Sequence, residues 1–96
     1  MKTDEEYPVL KIPPQLMTTL YRYKNYHQPT GDFLKAVISN DLTLAFMRAD
    51  LASERAMKDI VSWCYYELPG PSRGSLEAYD NWTKSYRPQM TMAEQM

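Results

Sequence analysis

Residues 31–50 read GDFLKAVISNDLTLAFMRAD, and they decide the fold. Phe33, Leu34, Val37 and Ile38 form the apolar stripe of one short helix, with Asp32 in its first turn, where the helix dipole favours an acid. Ser39-Asn40-Asp41 interrupts the pattern, and Asn40 or Asp41 is expected to cap the next helix. Leu42, Ala45, Phe46 and Ala49 then keep i, i+3, i+4, i+7 spacing, which predicts a third helix with those four side chains turned to the core. Two amphipathic helices joined by a tight polar break point to a helical bundle.

The flanking segments extend this reading. Upstream, Pro13 and Pro14 suit a first helical turn, where a missing N–H costs no hydrogen bond. Leu16, Leu20, Tyr23 and His27 follow at spacings of four, three and four. Gln28-Pro29-Thr30-Gly31 ends that helix, and Thr30 is the expected N-cap of the second. Downstream, Asp50 is expected to cap a fourth helix running to about Glu67, with Met57, Ile60, Val61, Cys64, Tyr65 and Leu68 as its stripe. Pro69-Gly70-Pro71 terminates it. Ser75 is the N-cap candidate for a last helix carrying Leu76, Tyr79, Trp82 and Tyr86. No segment alternates with period two, so the expected fold is all-α, a compact bundle of about five short helices. Residues 1–11 are expected to form an irregular arm, 12–87 a single helical domain and 88–96 a frayed tail.

Composition narrows the function classes. The chain has 96 residues, enough for one small domain, and eight tyrosines whose rings combine an apolar body with a polar tip. Small domains often gain stability by self-association, so a homo-oligomer is expected. Eleven basic residues against twelve acidic ones leave a net charge of −1, unlike the basic surplus of general nucleic-acid binders. Cys64 is the only cysteine, which excludes a disulfide framework and a cysteine-based zinc site. The acidic start, MKTDEEYPVLK, has no apolar core of a signal peptide, and no apolar run is long enough to span a bilayer. A cytoplasmic, membrane-free protein is expected.

Candidate chemistry is sparse. His27 has no ligand partner at helical spacing, Cys64 lies on an apolar stripe, and three glycines supply no phosphate loop. No enzyme, cofactor or metal is expected. Tyr21-Arg22-Tyr23 and the residues after it interleave rings with cations, an arrangement in which a ring stacks on a base and arginine forks onto phosphate. Asn40, Asp41 and Arg48 share one side of the third helix, a polar row beside the apolar stripe that suits a pocket or subunit contact. The plainer alternative is an Asn40 or Asp41 cap with a solvated Arg48, or an Asp41–Arg48 bridge across two turns. Arg73 sits in Ser72-Arg73-Gly74-Ser75, ahead of a helix N-terminus, and offers a weak anion site or plain capping.

The run IPPQL…LYRY…PTGDFLKAVISNDLTLAFMRAD…IVSWCYYELPG…GS resembles a family of small phage and prophage proteins with the pattern GGFLxAVLxNDLxxAxxRAD…PxxxWGS. The resemblance covers about Ile12 to Ser75 and is most specific from Phe33 to Asp50, including Asn40, Asp41 and Arg48. Asp32 replaces the pattern's second glycine and Arg73 its tryptophan. The resemblance implies a phage context, in which compact accessory proteins often antagonise host defence. The expected function is therefore a non-enzymatic anti-defence protein that sequesters a small cyclic nucleotide signal. Ligand contacts would come from Tyr21, Arg22, Tyr23, Asn40, Asp41, Arg48 and Arg73. The alternative is a protein–protein inhibitor of a host defence protein, using Tyr65, Tyr66, Tyr79, Trp82 and Tyr86 as an aromatic patch, or else a minor virion protein.

Overall fold

The computed structural model describes residues 11–86; the N-terminal arm before Lys11 and the tail from residue 87 lie outside the described residues. Six α-helices follow in order: α1 (Pro14–Tyr26), α2 (Asp32–Ile38), α3 (Leu42–Arg48), α4 (Leu51–Arg55), α5 (Met57–Glu67) and α6 (Leu76–Thr83). A single 3₁₀ turn, Gly70–Ser72, separates α5 from α6. No strand occurs among the described residues, so the fold is an all-α bundle. None of these helices is long and apolar enough to cross a membrane.

Local chemistry explains most boundaries. α1 opens on the proline pair and closes on His27, which adopts the left-handed conformation at φ 62°, with Gln28 N–H donating back to the Arg22 carbonyl. The His27 N–H donates to the Tyr23 carbonyl at 3.1 Å, the five-to-one bond of an αL helix ending. α2 ends in a Schellman motif: Asn40 sits at φ 65°, Asp41 N–H donates to the Ala36 carbonyl at 2.8 Å and Asn40 N–H to the Val37 carbonyl at 3.1 Å. Asparagine tolerates that conformation because its short polar side chain strains it little. Asp41 rather than Asn40 caps α3, accepting from Leu44 N–H, while Asp50 caps α4 through Ser53 N–H and Ser75 caps α6 through Ala78 N–H. Hydrogen bonds from Ser53 hold the Asp50 carboxyl below its ordinary pKa.

Several expectations are corrected. Thr30 does not cap α2; Gly31 occupies that place, and the Thr30 N–H is drawn instead to the Tyr79 hydroxyl at 2.8 Å. The expected fourth helix is two, broken at Ala56 with φ −93° and ψ 4°, values outside the helical well. Met57, Ile60, Cys64 and Leu68 of the expected stripe are buried, but Val61 and Tyr65 are exposed, and Trp63 instead joins the core shared with Leu20 and Tyr23 of α1. Leu76 is exposed, and α6 ends at Thr83, before Tyr86.

The main core joins Leu20 and Tyr23 of α1, Leu34 and Ile38 of α2, Ile60, Trp63 and Cys64 of α5, Leu68, and Tyr79 of α6. Half-buried Ile12, Leu16 and Trp82 close its edges. A second, smaller cluster of Ala36, Ala45 and Met57 attaches α3 to the rest. The α3 stripe is thus another correction: only Ala45 is buried, Ala49 is half-buried, and Leu42 and Phe46 remain 58% and 45% exposed. The tight turn at Asn40 presses α3 onto α2 through two alanines, and the larger side chains flank that contact.

Candidate functional site

The seven sequence candidates do not converge on one site. Tyr23 is fully buried in the core, where its hydroxyl donates to the Ser72 carbonyl and its ring stacks on Tyr79 at 5.4 Å. Burial raises its pKa and leaves no free face for a base. Tyr21 is exposed but lies edge-on to Trp63, centroids 5.6 Å apart. Arg22 is exposed on the same helix and lines neither cavity described below. The Tyr21-Arg22-Tyr23 cluster is therefore packing on two of its three members.

Asn40 and Arg73, read from separate motifs, meet at one cavity of about 290 Å³, walled by Val37, Ile38, Val61, Cys64, Tyr65 and Gly74. The loop that delivers Arg73 is pinned at several points. Gly74, at φ 102°, donates its N–H to the Ile38 carbonyl at 2.8 Å, joining the loop to the end of α2. Ser72 is buried, and its hydroxyl donates to the Pro69 carbonyl. Arg73 Nε–H donates to the Leu68 carbonyl at 3.2 Å, and the guanidinium carbon lies 4.8 Å from the Tyr65 ring centroid. Tethered in this way, an arginine keeps its terminal nitrogens for a forked contact with an anion. Ser75 already occupies the N-terminus of α6 as a cap, so the anion chemistry of this loop rests on Arg73.

Asp41 and Arg48 line a different cavity, of about 370 Å³, with Asp32, Lys35, Ala36, Ser39, Leu44 and Leu76. The neighbours Asn40 and Asp41 thus face opposite sides of the α2–α3 turn. The Asp41–Arg48 bridge is absent, since the ion pair found among the described residues is Lys24–Glu67 at 3.5 Å. The Ser39 hydroxyl beside this cavity is buried without a hydrogen-bond partner among the described residues.

The remaining reactive side chains are packed. His27 Nδ1 lies 2.8 Å from the Trp82 carbonyl oxygen and its ring stacks on Trp82 at 3.8 Å. Cys64 is buried, and burial pushes its thiol pKa up to about 12, against a smaller opposing pull from the Arg73 guanidinium. No group of three or more metal-ligating side chains occurs among the described residues. Sequence reading missed Tyr65 and Gly74 as cavity walls, and Lys35 and Leu76 beside Arg48. Nothing in their spacing signals it, because loop closure onto Ile38 brings these segments together. Comparison of the chain with protein-family models, curated proteins and solved structures finds no match in any of the three.

Proposed function

We propose that this protein is a non-enzymatic phage-type binding protein that takes a small anionic nucleotide into the Asn40–Arg73 cavity and withholds it from a host effector. The observation that carries this reading is Arg73, half-buried, tethered at Nε and set over Tyr65 at the cavity mouth. Its free fork suits phosphate, the Asn40 amide offers both a donor and an acceptor to a base or ribose edge, and Val37, Ile38 and Val61 supply an apolar wall. Replacing the family pattern's tryptophan by Arg73 exchanges a ring for a cation at this position. The phage setting rests on the resemblance over residues 12–75. At about 290 Å³ the cavity lies at the lower end of small-molecule sites, about 300–1,000 Å³, and suits one nucleotide unit at most.

Native mass spectrometry of the purified protein against nucleoside monophosphates and cyclic oligonucleotides tests the reading. The expected result is a retained nucleotide that is lost in Arg73→Ala and weakened in Asn40→Gly, a change that keeps the left-handed turn while removing the amide. Arg48→Ala, altered at the other cavity, should bind as the parent does. Retention of nothing across the panel, or loss in Arg48→Ala alone, would overturn it.

A second reading, inhibition of a host protein, is favoured by Tyr65 and Tyr66, which stand exposed on α5 with ring centroids 5.0 Å apart. Tyr79 and Trp82 drop out of the expected aromatic patch because one is buried and the other half-buried against His27. A stoichiometric host partner lost on Tyr66→Ala would select this reading over the first.

A further inference from the structure

We infer that α3 is a self-association surface, on which two copies pair through antiparallel α3 helices with Asp41 of each against Arg48 of the other. The helix reads LTLAFMR, and every side chain in it except Ala45 is exposed. Ala45 points inward. Leu42 and Phe46 fall on one flank, Leu44 on the other, and Met47 between them, as 100° per residue requires. Met47 is 77% exposed and Leu44 is 37% exposed. Among the described residues only the alanine side of this helix is covered. Leu44 and Met47, one turn apart and both exposed, share the flank of α3 that also carries Asp41 and Arg48, and they are the apolar centre of the proposed contact.

The charges at the ends of α3 select the occupant. Asp41 stands at the N-terminus and Arg48 in the last turn, on the same flank, about 10 Å apart along the axis at 1.5 Å per residue. They form no ion pair with each other. A two-fold axis across the helix sets each Asp41 beside the other copy's Arg48, satisfies both charges together and opposes the two helix dipoles. A partner of single charge sign would satisfy one end and repel the other. Asp32 and Lys35, which line the same cavity from α2, continue the mixed-charge rim. The pairing is independent of the Asn40–Arg73 cavity, which opens on the other side of the turn.

Sedimentation velocity of the full chain over a wide concentration range, at low and high salt, tests the inference. A reversible dimer that weakens with salt is expected. Met47→Asp and Arg48→Asp should each raise its dissociation constant about tenfold or more with an unchanged helical circular-dichroism spectrum. Asp41→Asn, which retains the cap, should weaken the dimer and reduce its salt dependence. A monomer at every concentration would overturn the inference, and so would an oligomer indifferent to Met47→Asp and Arg48→Asp. A chain that dimerises only after removal of residues 1–10 or 87–96 would also overturn it, by showing that those segments cover α3.

Discussion

Tyr23 connects three parts of the molecule. Its hydroxyl donates to Ser72 in the 3₁₀ turn, its carbonyl accepts from Trp82 Nε1–H at 2.7 Å, and its ring stacks on Tyr79. Tyr23→Phe leaves the buried Ser72 carbonyl without that donor, so equilibrium urea unfolding should show a loss of about 1–3 kcal/mol. Cys64 gives a separate readout through pH. Its thiol holds its proton in the folded chain up to about 12 but releases it near the ordinary value of 9.0 once unfolded. The unfolded state therefore binds fewer protons between those values, and stability falls as pH rises through that window, by up to about 1.4 kcal/mol per unit for one group. Tyr23, also raised by burial, adds to the fall above its ordinary value of 10.0. Urea midpoints at pH 7, 9 and 10 should decline, with a shallower decline in Cys64→Ala. The placing of Tyr23 in the core was legible from its spacing with Leu16 and Leu20. Its simultaneous reading as a stacking ring was not sustainable, because the same spacing that buries a ring removes its faces from solvent.

At the scale of elements, α2 and α3 meet through Ala36 and Ala45, and small side chains set how closely two helices approach. Ala45→Leu should push α3 away and cost about 1–3 kcal/mol by overpacking, measured as a lower urea midpoint with unchanged slope. The Asn40–Asp41 break was legible in the sequence as a turn and cap, since local hydrogen bonds decide both. The exposure of Leu42 and Phe46 was not, because periodicity identifies a face of a helix without saying how wide a neighbour covers it. The division of residues 51–67 into α4 and α5 escaped for a related reason. Ala56 is a strong helix former, and its departure from helical geometry serves the packing of Ile60, Trp63 and Cys64 against α1 rather than any local preference.

For the molecule as a whole, a narrow core and an uncovered α3 make association and stability one problem. If α3 pairs with a second copy, thermal denaturation should occur at a higher midpoint as protein concentration rises, because association is linked to folding by mass action. Met47→Asp should flatten that dependence. The candidate cavities have the same whole-molecule origin. Asn40 and Arg73 were each recognisable as polar residues out of keeping with a plain core, but their meeting depends on Gly74 N–H reaching the Ile38 carbonyl, 36 residues earlier in the chain.

The sequence by itself determined the all-α class, the capping roles of Asp50 and Ser75, and the proline and glycine breaks, since each follows from interactions within a few residues. Tertiary structure alone decided which apolar stripes are covered, and that Asn40 shares a cavity with Arg73 while Asp41 shares one with Lys35 and Arg48. Those outcomes depend on contacts between segments distant in the chain, where packing volume and loop closure override the local periodicity that marks a helix.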